Sequence, residues 1–307
     1  MTSEKLGNTR VTGKEQYYTP SETASQVLDR VLSQAENNTA RIFLEPAGGT
    51  GAFIDAALSR GFKEILSLDI EPHHDLVKEG DFLQATLELE GAICVSNPPF
   101  GRNNSLSIPF FNKAALHSDL IAFVVPRSWR KWSVINRLDY RFHLVDDWDL
   151  EIDYVDQQGQ HSHGIGNLRT CVQVWKRDDS KLRAKIDIPD HGLISKSSPE
   201  EADVAFTLFG YSCGAVKEEF PRVKNSTLTF FKLHHPRALE ALKSVDFSRF
   251  YKHTAYTEAL GIKEINFLLN EYLGLETMKY SNNPSDDSYL GLNQGEQLRS
   301  GDHPRIF

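Results

Sequence analysis

The chain is poor in cysteine and in long apolar runs, and each absence excludes something. Its 307 residues hold three cysteines, Cys94, Cys171 and Cys213, far apart and without a Cys-x-x-Cys pair. That excludes a disulfide framework and a zinc site built on cysteine, and it fits a reducing compartment, so a cytoplasmic location is expected. No stretch approaches the ~18 apolar residues that span a bilayer, so no membrane partner is expected. The polar start Met1-Thr2-Ser3-Glu4-Lys5 offers no apolar core for a signal peptide. His73-His74 and His161-Ser162-His163 lack a third ligand at usable spacing, so no metal is expected. A basic excess is missing too. The formal net charge is −8, the wrong sign for a protein that simply coats phosphates.

What is there is a sizeable apolar fraction, 40% of residues, enough for two domains or one large domain with an appendage. Charge is unevenly spread. From residue 101 to 143 there are seven basic side chains against two acidic ones, whereas 146–156 carries six acids and no base. One basic face on an acidic body is therefore expected.

Residues 1–15 are polar and expected to be loose. Thr19-Pro20-Ser21-Glu22 reads as a helix start, with Thr19 as N-cap and Glu22 closing a capping box. Ala24, Val27, Leu28, Val31 and Leu32 then follow a helical period. Short apolar strands are expected at 41–44, 64–70, 92–96 and 120–126, with helices at 51–60 and 106–117 between them. That alternation predicts an α/β fold, Rossmann-like, with a mostly parallel sheet covered by helices on both faces. A strand at 170–175 closes this catalytic region, expected over 16–180. Residues 181–280 form a small mixed α+β region, with strand-like pieces at 204–208 and 228–233 and a helix at 262–272. Beyond 281, Ser, Asn, Asp, Gly and Gln predict a flexible tail.

Between the first strand and the next helix stands Glu45-Pro46-Ala47-Gly48-Gly49-Thr50-Gly51-Ala52-Phe53. Glycines there let the backbone pass close under a ligand while free N–H groups of the helix start face it. A dinucleotide fingerprint would want Gly or Ala three residues after Gly51, where Ile54 stands. Glu45 at the strand end would repel a pyrophosphate and attract a cation. S-adenosylmethionine, with its ammonium and sulfonium, suits that carboxylate better than NAD. Asp69, followed by Ile70, ends the second strand, where a carboxylate can accept both hydroxyls of a ribose. Asp81 could accept from an adenine amino group, with Phe82 beside the ring.

The most specific motif is Ser96-Asn97-Pro98-Pro99-Phe100-Gly101, directly after the strand at 92–96. Two prolines fix φ and remove two donors, stiffening the strand's carboxyl end. The Asn97 side-chain oxygen and the Pro98 carbonyl can then bind the two hydrogens of an aromatic amine, freeing its lone pair, while Phe100 stacks on the base. Catalysis of that kind is positioning and electrostatics, without a metal.

On these residues the chain resembles the amino-methyltransferases of bacterial and phage DNA modification, in the subgroup whose first motif precedes the glycine turn. Tyr17-Tyr18-Thr19-Pro20 matches its Tyr/Phe-Thr-Pro element, and Glu45 to Gly51 its acidic-Pro-x-x-Gly-x-Gly turn. Asp69 matches its ribose acid, Asp81-Phe82 its Asp-Phe, and Asn97 to Phe100 its Asn-Pro-Pro-aromatic motif. The match covers residues 16–176. The resemblance implies S-adenosylmethionine as cofactor, with Tyr18 and Thr19 at its methionine end. It implies the cofactor-binding set Tyr18, Thr19, Glu45, Ala47, Gly49, Gly51, Phe53, Asp69, Ile70, Asp81 and Phe82. It also implies methyl transfer to the exocyclic amine of a base, adenine N6 in DNA first, an RNA base second, with region 181–280 recognising the target. A protein glutamine amide, cytosine N4 and a silent partner subunit rank behind. An aromatic residue for the flipped base is sought near His161 or His163. Arg127-Ser128-Trp129-Arg130-Lys131-Trp132 interleaves basic and aromatic residues. Arg127, Arg130 and Lys131, with Arg102 past Phe100, are the candidate nucleic-acid contacts, the tryptophans being either stacking platforms or core.

Overall fold

The computed structural model describes residues 17–35, 39, 41–156 and 168–281. The expected loose segments 1–15 and 281–307, apart from Ser281, and the pair His161 and His163 lie outside them.

In chain order the first half runs α1 (Ser21–Gln34), β1 (Phe43–Glu45), α2 (Ala52–Ser59), β2 (Ile65–Asp69), β3 (Lys78–Glu79), β4 (Ala92–Ser96) and α3 (Ser107–Ala114). It continues through β5 (Ser118–Pro126), α4 (Trp132–Ile135), β6 (Phe142–Leu150) and β7 (Thr170–Arg177). The seven strands form one sheet in the order β3-β2-β1-β4-β5-β7-β6. The first five pair in parallel, and β7 pairs antiparallel with both β5 and β6. This is the Rossmann-like α/β arrangement.

Alternation along the strands sorts side chains to two faces. Phe43, Ile93, Val95, Leu120, Ala122 and Val124 face α1 and α2 through Val27, Leu28, Val31 and Phe53. Leu44, Cys94, Ile121, Phe123 and Val125 face the opposite core, where Phe111, Trp129 and Trp175 pack. Phe111 sits at its centre, edge-on to Phe123, Trp129, Phe142 and Trp175 at 5.6–5.9 Å between ring centroids. Each such ring removes 150–250 Å² from water.

The helix start at α1 differs from expectation. Pro20 occupies the N-cap position and no side chain caps the helix. The Thr19 hydroxyl is occupied instead by the Asn97 side-chain amide. Part of the acidic run lies in β6 at the sheet edge. An edge strand buries one side only, so a polar sequence can serve.

The remaining chain contributes β8 (Lys185–Asp187), β9 (Ile194–Lys196), β10 (Val204–Thr207), β11 (Val216–Lys217), β12 (Leu228–Leu233), α5 (Ala238–Ser244), α6 (Ser248–Tyr251), α7 (Ile262–Leu273) and β13 (Lys279–Ser281). Strands β11-β10-β12-β9 form an antiparallel sheet, and β8 pairs with β13. Its helices continue the core of the first sheet: Trp132 packs on Phe250 and Phe267 at 5.5 and 5.4 Å. The buried Glu264 on α7 caps its own helix start at Gly261 N and pairs with Lys131 at 3.1 Å.

Candidate active site

Strand order reverses between β1 and β4, which splays the connections beyond their carboxyl ends and opens a crevice there. A cavity of about 320 Å³ fills that crevice. Glu45 closes β1 beneath it, and Asn97 follows β4.

The glycine turn forms one wall. A Cβ on Gly48 would lie 2.3 Å from Ser67 Oγ, and Gly49, at φ +48°, carries the Tyr18 ring where a Cβ would meet it at 2.7 Å. Both positions demand glycine, one for space and one for backbone conformation as well. Asp69 braces the turn: Oδ2 accepts from Gly49 N at 2.8 Å and Oδ1 from Glu71 N at 2.9 Å. Each oxygen keeps a further lone pair. Asp81 begins the next wall, with Oδ1 accepting from Leu83 N at 2.9 Å. Lys113 Nζ holds this segment from α3, donating to Leu83 O at 2.9 Å and Ala85 O at 2.5 Å, with the Phe82 ring 5.4 Å away. Phe82 in turn packs on Phe110.

Two buried polar atoms on the lining have no hydrogen-bond partner: Glu45 Oε2 and Asn97 Oδ1. Burial pushes the Glu45 carboxyl well above the usual carboxylate range, and the Asp69 charge pushes it the same way. An uncompensated buried carboxylate is costly, so this one is suited to a cationic ligand. Asn97 is fixed from the other side, its Nδ2 donating to Tyr17 O at 2.6 Å and Thr19 Oγ1 at 3.2 Å.

The cavity brings together Tyr18, Thr19, Glu45, Ala47, Gly49, Phe53, Asp69, Ile70, Asp81 and Phe82 with Asn97, Pro98 and Pro99. Gly51 does not line it. At φ +79° it forms the start of α2, over the His74 ring. Phe100 does not line it either. Its ring is 5% exposed and stacks on Tyr17 at 5.8 Å, which also meets Tyr154 at 5.6 Å. Tyr17, Phe110 and Lys113 were given no site role from the sequence, although Tyr17 stands in the matched Tyr-Tyr-Thr-Pro element. Tyr17 and Lys113 act through backbone carbonyls, which leave no residue-type signal, whereas an aromatic at 110 on the inner face of a helix was a usable hint.

Among the described residues, ion pairs reduce the expected basic face. Arg130 pairs with Asp147 and, at 2.7 Å, with Asp149; Arg127 pairs with Asp149 at 3.1 Å, Lys131 with Glu264, and Arg141 with Asp139. Trp129 and Trp132 are buried, so the core alternative holds for both and neither is a stacking platform. Arg102 is exposed, with no ion-pair partner among the described residues. No cluster of three potential metal ligands occurs among the described residues, and no helix there is long and apolar enough to cross a membrane.

Fold and cavity define a Rossmann-like α/β protein with its site at the switch point of a mostly parallel sheet. No family model and no curated protein matches the chain. Among solved structures, it is similar to a Pyrococcus horikoshii protein provisionally described as an RNA methyltransferase, at 19% identity and a TM-score of 0.44, over 57% of this chain and 92% of that one. It is similar to TrmN from Thermus thermophilus at 16% identity and TM-score 0.38, over 51% and 52% of the two chains. The 23S rRNA methyltransferase ErmE aligns at 14% identity and TM-score 0.38, over 53% and 70%. All three scores lie below 0.5, so what this chain does has to come from its own residues.

Proposed function

We propose that this chain is an S-adenosylmethionine-dependent methyltransferase acting on the exocyclic amine of a nucleic-acid base, with adenine N6 the favoured target. One observation carries the reading: a single cavity is lined by an unpaired buried carboxylate oxygen, Glu45 Oε2, and an unpaired buried amide oxygen, Asn97 Oδ1. The first suits a cation and the second an amine. When bound, S-adenosylmethionine supplies a methyl group already activated by its sulfonium.

Glu45 and the Gly49 turn would hold the amino-acid end of that cofactor, Asp69 its ribose hydroxyls through the lone pairs left free, and Asp81 with Phe82 its adenine. Asn97 Oδ1 and the Pro98 carbonyl would accept the two hydrogens of the target amine. With both hydrogens held, the nitrogen lone pair would be released from the ring and able to act as a nucleophile. Fixed acceptors of this type need no reorganisation as charge develops. Phe100, stacked on Tyr17, backs this corner rather than facing the cavity.

DNA remains the first substrate by sequence resemblance. RNA is the second reading, and the partly neutralised rim favours it, because unpaired RNA bases are gripped by stacking and edge contacts more than by a broad cationic face. Among the described residues of 181–280, Phe209, Tyr211, Tyr256 and Tyr280 are exposed aromatics that could serve such contacts. Region 181–280 is the proposed recognition part. Incubation with methyl-tritiated cofactor and, in parallel, duplex DNA, RNA and a protein mixture tests the reading. N6-methyladenine after nucleic-acid digestion is expected; label confined to protein, or absent everywhere, would refute it.

A further inference from the structure

Asn97 must present its oxygen to an amine, yet a side-chain amide can rotate to present its nitrogen instead. Its Nδ2 lies 2.6 Å from the Tyr17 carbonyl and 3.2 Å from the Thr19 hydroxyl. In the rotated amide, Oδ1 would face the Tyr17 oxygen at that distance, two acceptors with no proton between them. We propose that Thr19, together with the Tyr17 carbonyl, is the positioning device that holds the Asn97 amide with Oδ1 outward, ready for substrate. The proposal rests on the reading of Asn97 as the substrate-binding amide, and it gives Thr19 a role other than contact with the cofactor.

Three observations support it. Thr19 is 6% exposed, so solvent does not compete for its hydroxyl. Its segment is anchored from outside the site, by the isolated bridge between Tyr18 and Val155, with Val155 N donating to Tyr18 O at 3.1 Å. And the Tyr17 ring stacks on Phe100, three residues past Asn97, so one segment grips both ends of the Asn-Pro-Pro-Phe corner. Stiffness from Pro98 and Pro99 fixes the backbone but leaves the Asn97 side-chain torsions free. The N-terminal segment removes that freedom.

Proton exchange of the Asn97 side-chain amide, assigned by its loss in Asn97→Asp, tests the device without reference to methyl transfer. In the wild-type protein both Nδ2 protons should exchange slowly. Thr19→Val, which keeps shape and deletes the hydroxyl, should speed exchange of one proton roughly tenfold, and Thr19→Ser should restore it. In turnover with S-adenosylmethionine and the methyl acceptor found above, Thr19→Val should lower kcat by roughly five- to tenfold while the KM for cofactor stays within about twofold. Unchanged exchange in Thr19→Val, or a raised cofactor KM with kcat intact, would overturn the proposal. If Thr19→Val fails to fold, the wild-type rates decide: amide protons that exchange as freely as those of an exposed asparagine refute it. If the wild-type protein methylates nothing, the functional reading fails while the exchange data still judge the positioning.

Discussion

At the residue scale, the proposed chemistry rests on two buried oxygens without partners, Glu45 Oε2 and Asn97 Oδ1. Truncation of Asn97 to alanine removes one acceptor that matters only as charge develops on the amine. Methyl transfer by Asn97→Ala should fall by about 10²–10³-fold while cofactor affinity is kept, as isothermal titration can check. Glu45 gives a pH signature. Its raised pKa means the folded apo-protein holds a proton that the unfolded chain releases, so apo stability declines as pH rises from the ordinary glutamate value to the raised one. If Glu45 holds the cofactor's cation as proposed, binding draws on the ionised form and should weaken as pH falls through the same window. Glu45→Gln removes both effects. At pH 8 it should melt no lower than the wild type and gain no thermal shift from S-adenosylmethionine. A large loss of apo stability in that variant would show Glu45 to be structural instead.

At the scale of elements, the turn between β1 and α2 is where sequence and geometry agree most closely. Gly48 and Gly49 are required by Ser67 Oγ and the Tyr18 ring, contacts that come from β2 and from the N-terminal segment. Gly49→Ala should cost about 1–2 kcal/mol for its left-handed backbone alone, and displacement of Tyr18 should weaken cofactor binding about tenfold. Calorimetric melts with and without cofactor would show it, and wild-type affinity in that variant would rule out the tight packing. The Thr19 capping box misled for a physical reason. A threonine beside a helix start can bond the helix or a neighbour across the site, and only the position of Asn97 decides between them. The β6 strand was hidden for a similar reason. Its Asp146, Asp147 and Asp149 look like a solvated run until Arg30, Arg130 and Arg127 arrive from α1 and the turn after β5.

Those ion pairs matter most for the molecule as a whole. Arg127 and Arg130 of the basic stretch pair with Asp147 and Asp149 of the acidic one, so part of the basic face that counting charges implied is neutralised. Arg130→Ala should therefore lower the melting temperature yet leave the salt dependence of nucleic-acid binding unchanged. Arg102→Ala should reduce the slope of log affinity against log salt by about 0.7–0.9, the value of one phosphate contact. An Arg130 variant that flattened the slope would restore the basic-face view. The Lys131–Glu264 pair links the sheet's rim to α7. With Lys131 about a quarter exposed, Lys131→Met should cost about 2 kcal/mol, below the ~3–5 kcal/mol of a fully buried pair. Lys131→Met with Glu264→Gln should recover most of it, because the unpaired buried charge is then gone while a side-chain oxygen still caps Gly261 N.

The sequence by itself determined the layered fold and the walls of the cavity, since both depend on local rules: apolar period, glycine where a side chain cannot fit, proline where a strand must stop. Tertiary structure alone decided which way the Asn97 amide faces, where Phe100 stacks and which arginines are free. Asn97 leans on the Tyr17 carbonyl 80 residues away, Phe100 stacks on the Tyr17 ring, and Arg130 is taken by Asp147, 17 residues on; neither such a distance nor a carbonyl's direction is written in residue type.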